Sequence, residues 1–305
     1  MRIAVRGTAL AALLAGACSL SAAPAPNWPA AVAHAARLAP EARIVVLDVA
    51  TGKLLAANHL ADAARTLAAP GSALKPLVLY GLTAAGRWDP SRRIACTRKL
   101  AIAGHALDCS HPLADPMEAR QALGWSCNTY FAALAATLKP GELRGLLAPT
   151  GLLGQTGLAA GEATAEAVAD WGEPHSAGKN SLAVLGVEGI RVTPLELAAA
   201  YRWLALQLAA HPSTVAALTV RGGLADSASF GMAEAAGMGG VPVAGKTGTA
   251  SLAAGSQTHG WFAGLAPADA PSVVVAVYLP AGHGADAARV AAELLARSPL
   301  RKPRP

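Results

Sequence analysis

Apolar positions along this chain follow two rhythms. Short continuous or alternating runs mark strands, and recurrence at three and four residues marks helices. "RIVVLDVATGKLLAANH", residues 43–59, predicts two short strands around a Thr51-Gly52 turn. Three more strands are expected near the other end, at about 242–250, at 258–267 ("THGWFAGLAP") and at 272–280 ("SVVVAVYLP"). Helical patterning fills the middle. Pro70-Gly71 halts the chain before a helix from Ser72 to about Thr83, which Ser72 is placed to cap. "CNTYFAALAATL", 127–138, reads as helix up to Pro140-Gly141. "TPLELAAAYRWLALQLAA", 193–210, carries Thr193 as a cap and Pro194 at the first helical position. "ADAARVAAELLAR", 285–297, is a closing amphipathic helix. Residues 86–116 read as loop, and 141–180 as short helices and glycine-rich loops.

Strands at both ends can merge into one sheet while the helices between them cover its faces. The expected fold is therefore α+β: a five-stranded antiparallel sheet flanked by helices, with an all-helical subdomain, not alternating βαβ units. No glycine-rich phosphate loop follows a strand, so no nucleotide or other cofactor is expected.

Composition narrows the picture further. The 305 residues are 53% hydrophobic and 14% charged, as a chain with a large packed core requires. The net charge of +6 comes from scattered residues, with no basic helix interleaved with aromatics, which argues against nucleic acid. A basic cluster, "RSPLRKPRP", closes the chain, and residues 298–305 are expected as a disordered tail because proline forbids regular structure there. At the other end "MRIAVRG" carries two arginines, followed by the apolar "TALAALLAGACSL" and the small residues of "SAAPAP". That is the order of a secretory signal peptide, residues 1–23, with Ser21 and Ala23 at the cleavage site. "LAGAC" is also similar to a bacterial lipobox, which would make Cys18 a lipid anchor. A linker and first helix, 24–42, would precede the main domain, 43–297. The expected compartment is the bacterial periplasm or cell envelope, with no transmembrane helix in the mature chain.

Export bears on the cysteines. Cys96 and Cys109 flank a loop and could pair in an oxidising compartment, or stay as two thiols; both readings stand. Cys127 lies in an apolar helical stretch and reads as a small buried residue. Cys-x12-Cys with no further close pair is not a zinc pattern. His105, His111, His175 and His283 fall in loops without ligand spacing, so no metal is expected. His259, near a predicted strand, reads as a surface or packed histidine.

The candidate chemistry begins at "PGSALKP". Ser72 and Lys75 stand three apart at a helix start, hence on one face. Apolar neighbours such as Leu74 and Leu77 would desolvate the lysine, and a second cation nearby would lower its pKa further, leaving an amine able to take the serine proton. The spacing alone is weak: Ser176-Ala177-Gly178-Lys179 repeats it in a loop with no helix start. Two further elements set Ser72 apart. "WSCNTYF" supplies Ser126, whose hydroxyl can relay a proton, and Asn128, whose amide can hold a substrate amide. "VAGKTGTAS" places Lys246, Thr247, Gly248 and Thr249 on a strand: a second cation, two hydroxyls for a carboxylate, and a glycine that allows close approach of a ligand backbone.

With these three elements in this order, and with "DVATGKLLAA", "LGVEGIRVTPLELAAAYRWLA" and "GWFAGLAP" beside them, the chain resembles the penicillin-binding transpeptidase family. The resemblance implies the β-lactamase/transpeptidase-like fold, Ser72 as acylated nucleophile, Lys75 as its base and Ser126 as the proton relay. Asn128, Lys246, Thr247, Gly248 and Thr249 would line the substrate cleft. Backbone N–H groups of Ser72 and Thr249 would form an oxyanion hole. The implied substrate is a peptidoglycan stem peptide ending in D-Ala-D-Ala, and β-lactams would be covalent inhibitors. A serine β-lactamase and a D,D-carboxypeptidase are the enzymatic alternatives. A module that binds or senses penicillin or peptidoglycan without turnover is the alternative of another class.

Overall fold

The computed structural model describes residues 26–112, 116–167, 177–251 and 257–301. The predicted signal segment with Cys18, Ser176 of the second Ser-x-x-Lys, His175 and the last residues of the basic tail lie outside them. The core is a five-stranded antiparallel sheet formed by β1 (Arg43–Asp48), β2 (Leu54–Asn58), β3 (Ala244–Ser251), β4 (Thr258–Ala266) and β5 (Val273–Leu279). The strand order is β2-β1-β5-β4-β3, so the first pair in sequence joins the last three and β3 takes one edge.

Both faces of this sheet are covered. That is why its strands read as nearly continuous apolar runs, not as a clean alternation. Ile44, Val46, Phe262, Val275 and Val277 face α1 (Trp28–Leu38) and the closing helix α9 (Gly284–Ala296). Val45, Leu47, Trp261, Val274 and Ala276 face the other way, into a larger core shared with α7 (Pro194–Ala210) and the helical region. That region contains α2 (Lys75–Ala84), α3 (Ala119–Gly124), α4 (Asn128–Ala135), α5 (Glu142–Leu147), α6 (Ala177–Val184) and α8 (Val215–Ser229). No described helix is long and apolar enough to cross a membrane.

Local signals explain most boundaries. The Thr193 hydroxyl accepts the Glu196 N–H at 3.1 Å, and the Glu196 carboxylate accepts the Thr193 N–H at 2.8 Å, a reciprocal cap for α7. Two expectations need correction. Ser72 is not a helix cap: it lies inside a 3-10 turn, Gly71–Leu74, and α2 begins at Lys75 with Pro76 in its first turn. Cys127 is not inside a helix either; it is the extended residue that precedes α4. The sequence pattern also left α8 unread, because Gly222-Gly223 interrupts it. Gly223 is required by close packing: a Cβ there would fall 2.8 Å from the Leu123 side chain of α3.

Candidate active site

Three segments converge at the free edge of β3. The first is the 3-10 turn carrying Ser72. The turn is held by Gly71 N–H to Gly186 O (2.8 Å), by Tyr201 Oη to Ala73 O (2.8 Å), and by His259 Nε2 and Trp261 Nε1, both at the Ala69 carbonyl (2.8 and 2.9 Å). A carbonyl only accepts, so His259 donates there; it is a buried, packed residue that fixes the segment leading into the turn. Gly71, at φ +54, and Gly248 let the turn lie directly on β3. A Cβ on Gly71 would sit 2.7 Å from Thr249 O, and one on Gly248 would collide with Pro70 O. The approach that Gly248 permits is thus that of the serine's own turn, where a ligand backbone had been expected.

The second segment is Ser126-Cys127-Asn128, between α3 and α4. Ser126 adopts φ +56, a left-handed conformation uncommon outside glycine. It turns both its carbonyl and its hydroxyl toward Lys75. The Lys75 amine is fully buried and donates to Ser126 O (2.9 Å) and Asn128 Oδ1 (2.7 Å), with Ser126 Oγ at 3.2 Å and the Phe131 ring centroid at 5.0 Å. Its hydrogen bonds go to Ser126 and Asn128, not to Ser72. The Asn128 amide is oriented from its other end, donating Nδ2–H to Leu107 O at 3.0 Å. Burial pulls Lys75 from its ordinary value to about 7, opposed by negative charge on the Cys127 and Cys109 sulfurs. At that value the neutral amine, with two N–H donors and one lone pair, is well populated near neutrality.

The third segment is β3 itself. Lys246 is buried, and its amine donates to Thr247 O at 3.0 Å. Burial, and then the charge of Lys75, hold it well below the ordinary lysine range. Like charges disfavour each other mutually, so each amine opposes the charge of the other, and both lie below the ordinary lysine range. Thr247 turns its hydroxyl to Met232 O (3.3 Å), whereas Thr249 Oγ1 accepts the Gly284 N–H (2.9 Å) and keeps its own proton as a donor. Ser72, Ser126, Asn128, Thr247 and Thr249 line one cleft of about 160 Å³, with Trp125, Met232 and Asp108 on its walls. Lys75 and Lys246 lie beneath this surface. Lys179, of the second Ser-x-x-Lys, is exposed on α6, unlike the buried Lys75.

The cysteines complete the site's surroundings. Cys96, Cys109 and Cys127 are free thiols, so the Cys96–Cys109 bridge is not formed. Sequence spacing gave no reason to group them. In space, their sulfurs and a ring nitrogen of His111 lie within 4.8 Å of one another, directly beside Asn128. Cys-x12-Cys-x-His-x15-Cys crosses a loop and helix α3, and only the folding of that loop against the start of α4 reveals the group.

Comparison with known proteins bears on the fold and the family. The model of the penicillin-binding protein transpeptidase domain matches residues 42–298. No curated protein gives a significant sequence match. Among solved structures, a peptidoglycan glycosyltransferase from Burkholderia ambifaria superposes with a TM-score of 0.74 at 20% identity, covering 88% of this chain and 92% of that one. The transpeptidase domain of Burkholderia pseudomallei penicillin-binding protein 3 gives 0.74 at 22%, covering 88% and 91%. The D,D-transpeptidase domain of a peptidoglycan glycosyltransferase from Eggerthella lenta gives 0.73 at 22%, covering 88% and 80%. These identities speak for the fold, and the match over residues 42–298 speaks for descent: the chain belongs to the penicillin-binding protein transpeptidase domain family.

Proposed function

We propose that this protein is an exported serine D,D-acyltransferase that acts on peptidoglycan stem peptides ending in D-Ala-D-Ala. The observation that carries the reading is the buried Lys75 amine, bonded to Ser126 and Asn128 and brought to about 7, under the cleft that Ser72 lines. Neutral Lys75 takes the Ser72 proton as Oγ attacks the carbonyl of the penultimate residue. The oxyanion lies against the N–H groups of Ser72 and Thr249; one such donor lowers the barrier by about 3 kcal/mol. Collapse breaks the peptide bond, and the departing D-Ala amine receives the proton from Lys75 by way of the Ser126 hydroxyl. An amine of a second stem then attacks the acyl-Ser72 ester and restores the serine.

The free donor on Thr249 receives the terminal carboxylate. The arriving anion raises Lys246 toward its charged form, so the second cation appears with the substrate. Asp108 is the carboxylate among the described residues that line the cleft. Lys99 (2.6 Å) and the Leu100 N–H (3.1 Å) engage it and lower its pKa, which makes it a poor base for activating water. That favours transfer to an amine over rapid hydrolysis. Mass spectrometry after incubation with a β-lactam tests the proposal. One stable covalent adduct is expected on the Ser72 peptide, absent in Ser72→Ala. An adduct elsewhere, or none in the native protein, overturns it.

A further inference from the structure

We propose that Cys96, Cys109, His111 and Cys127 bind a zinc ion that clamps the Ser126–Asn128 turn from behind. Zinc in a tetrahedral thiolate–imidazole site has bonds of about 2.3 Å to sulfur and 2.0–2.1 Å to nitrogen, which places its donors roughly 3.6–3.8 Å apart. The Cys109 and Cys127 sulfurs stand 3.9 Å apart, and all four donors fit within 4.8 Å. A sub-ångström contraction closes the site, whereas a disulfide needs about 2.05 Å.

The histidine supplies the independent observation. His111 is 2% exposed, and its Nδ1 lies 2.7 Å from Pro112 O. A carbonyl can only accept, so Nδ1 carries the proton and Nε2 presents a bare lone pair. That Nε2 is buried and has no hydrogen-bond partner. A second ring nitrogen fixed by a carbonyl is the support that zinc-bound imidazoles commonly have. The sulfurs are likewise prepared: the Asn128 N–H points to Cys109 Sγ at 3.2 Å and the Arg98 N–H to Cys96 Sγ at 3.4 Å. Such donors stabilise thiolates. Three thiolates and one neutral imidazole suit zinc better than hard cations such as magnesium or calcium. Binding replaces three S–H protons, released to solvent, with three Zn–S bonds.

The site has a mechanical consequence. Cys127 is flanked by the two residues that hold Lys75, and Ser126 keeps an uncommon left-handed backbone. A metal bonded to Cys127 and Cys109 pins that turn, and with it the amine, without touching substrate. This role rests on the acylation mechanism above, but metal binding does not.

Zinc and cobalt titrations of the reduced full chain test the proposal. One zinc is expected per folded chain, with Cys96, Cys109 and Cys127 protected from alkylation when read peptide by peptide. Cobalt should give thiolate charge-transfer bands and the strong visible bands of a tetrahedral ion. Cys96→Ser and His111→Gln should each weaken binding at least about tenfold. If a variant fails to fold, the cobalt spectrum of the unaltered protein decides. A reduced, folded protein that takes up neither metal overturns the proposal, as does a cobalt spectrum without thiolate bands. Acylation of Ser72 at an undiminished rate after zinc is stripped overturns the clamping role. Zinc bound without any acylation supports the site and counts against the reading of Ser72.

Discussion

Two lysines are buried a short way apart, and their surroundings differ. Lys75, at the start of a helix, meets two carbonyl-type oxygens and a hydroxyl. Lys246, on the strand, meets the carbonyl of the next residue. Both lose hydration, and at Lys75 that loss is partly offset by negative charge at Cys127 and Cys109. Lys75 is brought to about 7, and its charge then helps to hold Lys246 well below the ordinary range. Burial alone does not set a lysine's task; the charges placed around each amine separate two buried neighbours.

Replacing each amine by an uncharged chain of similar length separates the two roles. Lys75→Met removes the base and should slow β-lactam acylation by about 10²–10⁴-fold, measured by stopped-flow or by the mass of the adduct over time. The same variant has a signature in stability. The folded pKa of Lys75 lies below its unfolded value, so between about pH 7 and the ordinary lysine value the unfolded chain binds more protons. Native stability therefore rises with pH across that window, by up to roughly 5 kcal/mol for this group. Denaturant curves at several pH values should show this rise in the native protein and a smaller one in Lys75→Met. Lys246→Met should act on anionic substrate, weakening its binding about 10–100-fold, the worth of a charged hydrogen bond, with a smaller effect on the acylation rate constant. Equal rate losses in both variants would erase the distinction drawn between them.

Much of this arrangement was legible along the chain because it is local. The strands of the sheet, the Thr193 cap and the three motifs each declare themselves within a few residues. What stayed hidden depends on distant partners. Gly222-Gly223 looks like a helix interruption until the Leu123 side chain is found against Gly223. Gly248 looks like room for a ligand until Pro70 occupies that space. Lys246 looks like a cation until it is seen buried beside Lys75. The cysteines and His111 have no motif because the loop between Cys96 and Cys109 must fold onto α4 before their donors meet.

The most direct test is the pH dependence of Ser72 acylation by a β-lactam whose own charge is constant over the range. The rate constant should climb as Lys75 loses its proton, with an inflection at about pH 7 that disappears in Lys75→Met. A profile that stays flat through neutrality, or one that rises only toward the ordinary lysine value of about 10.4, would contradict the assignment of Lys75 as the base.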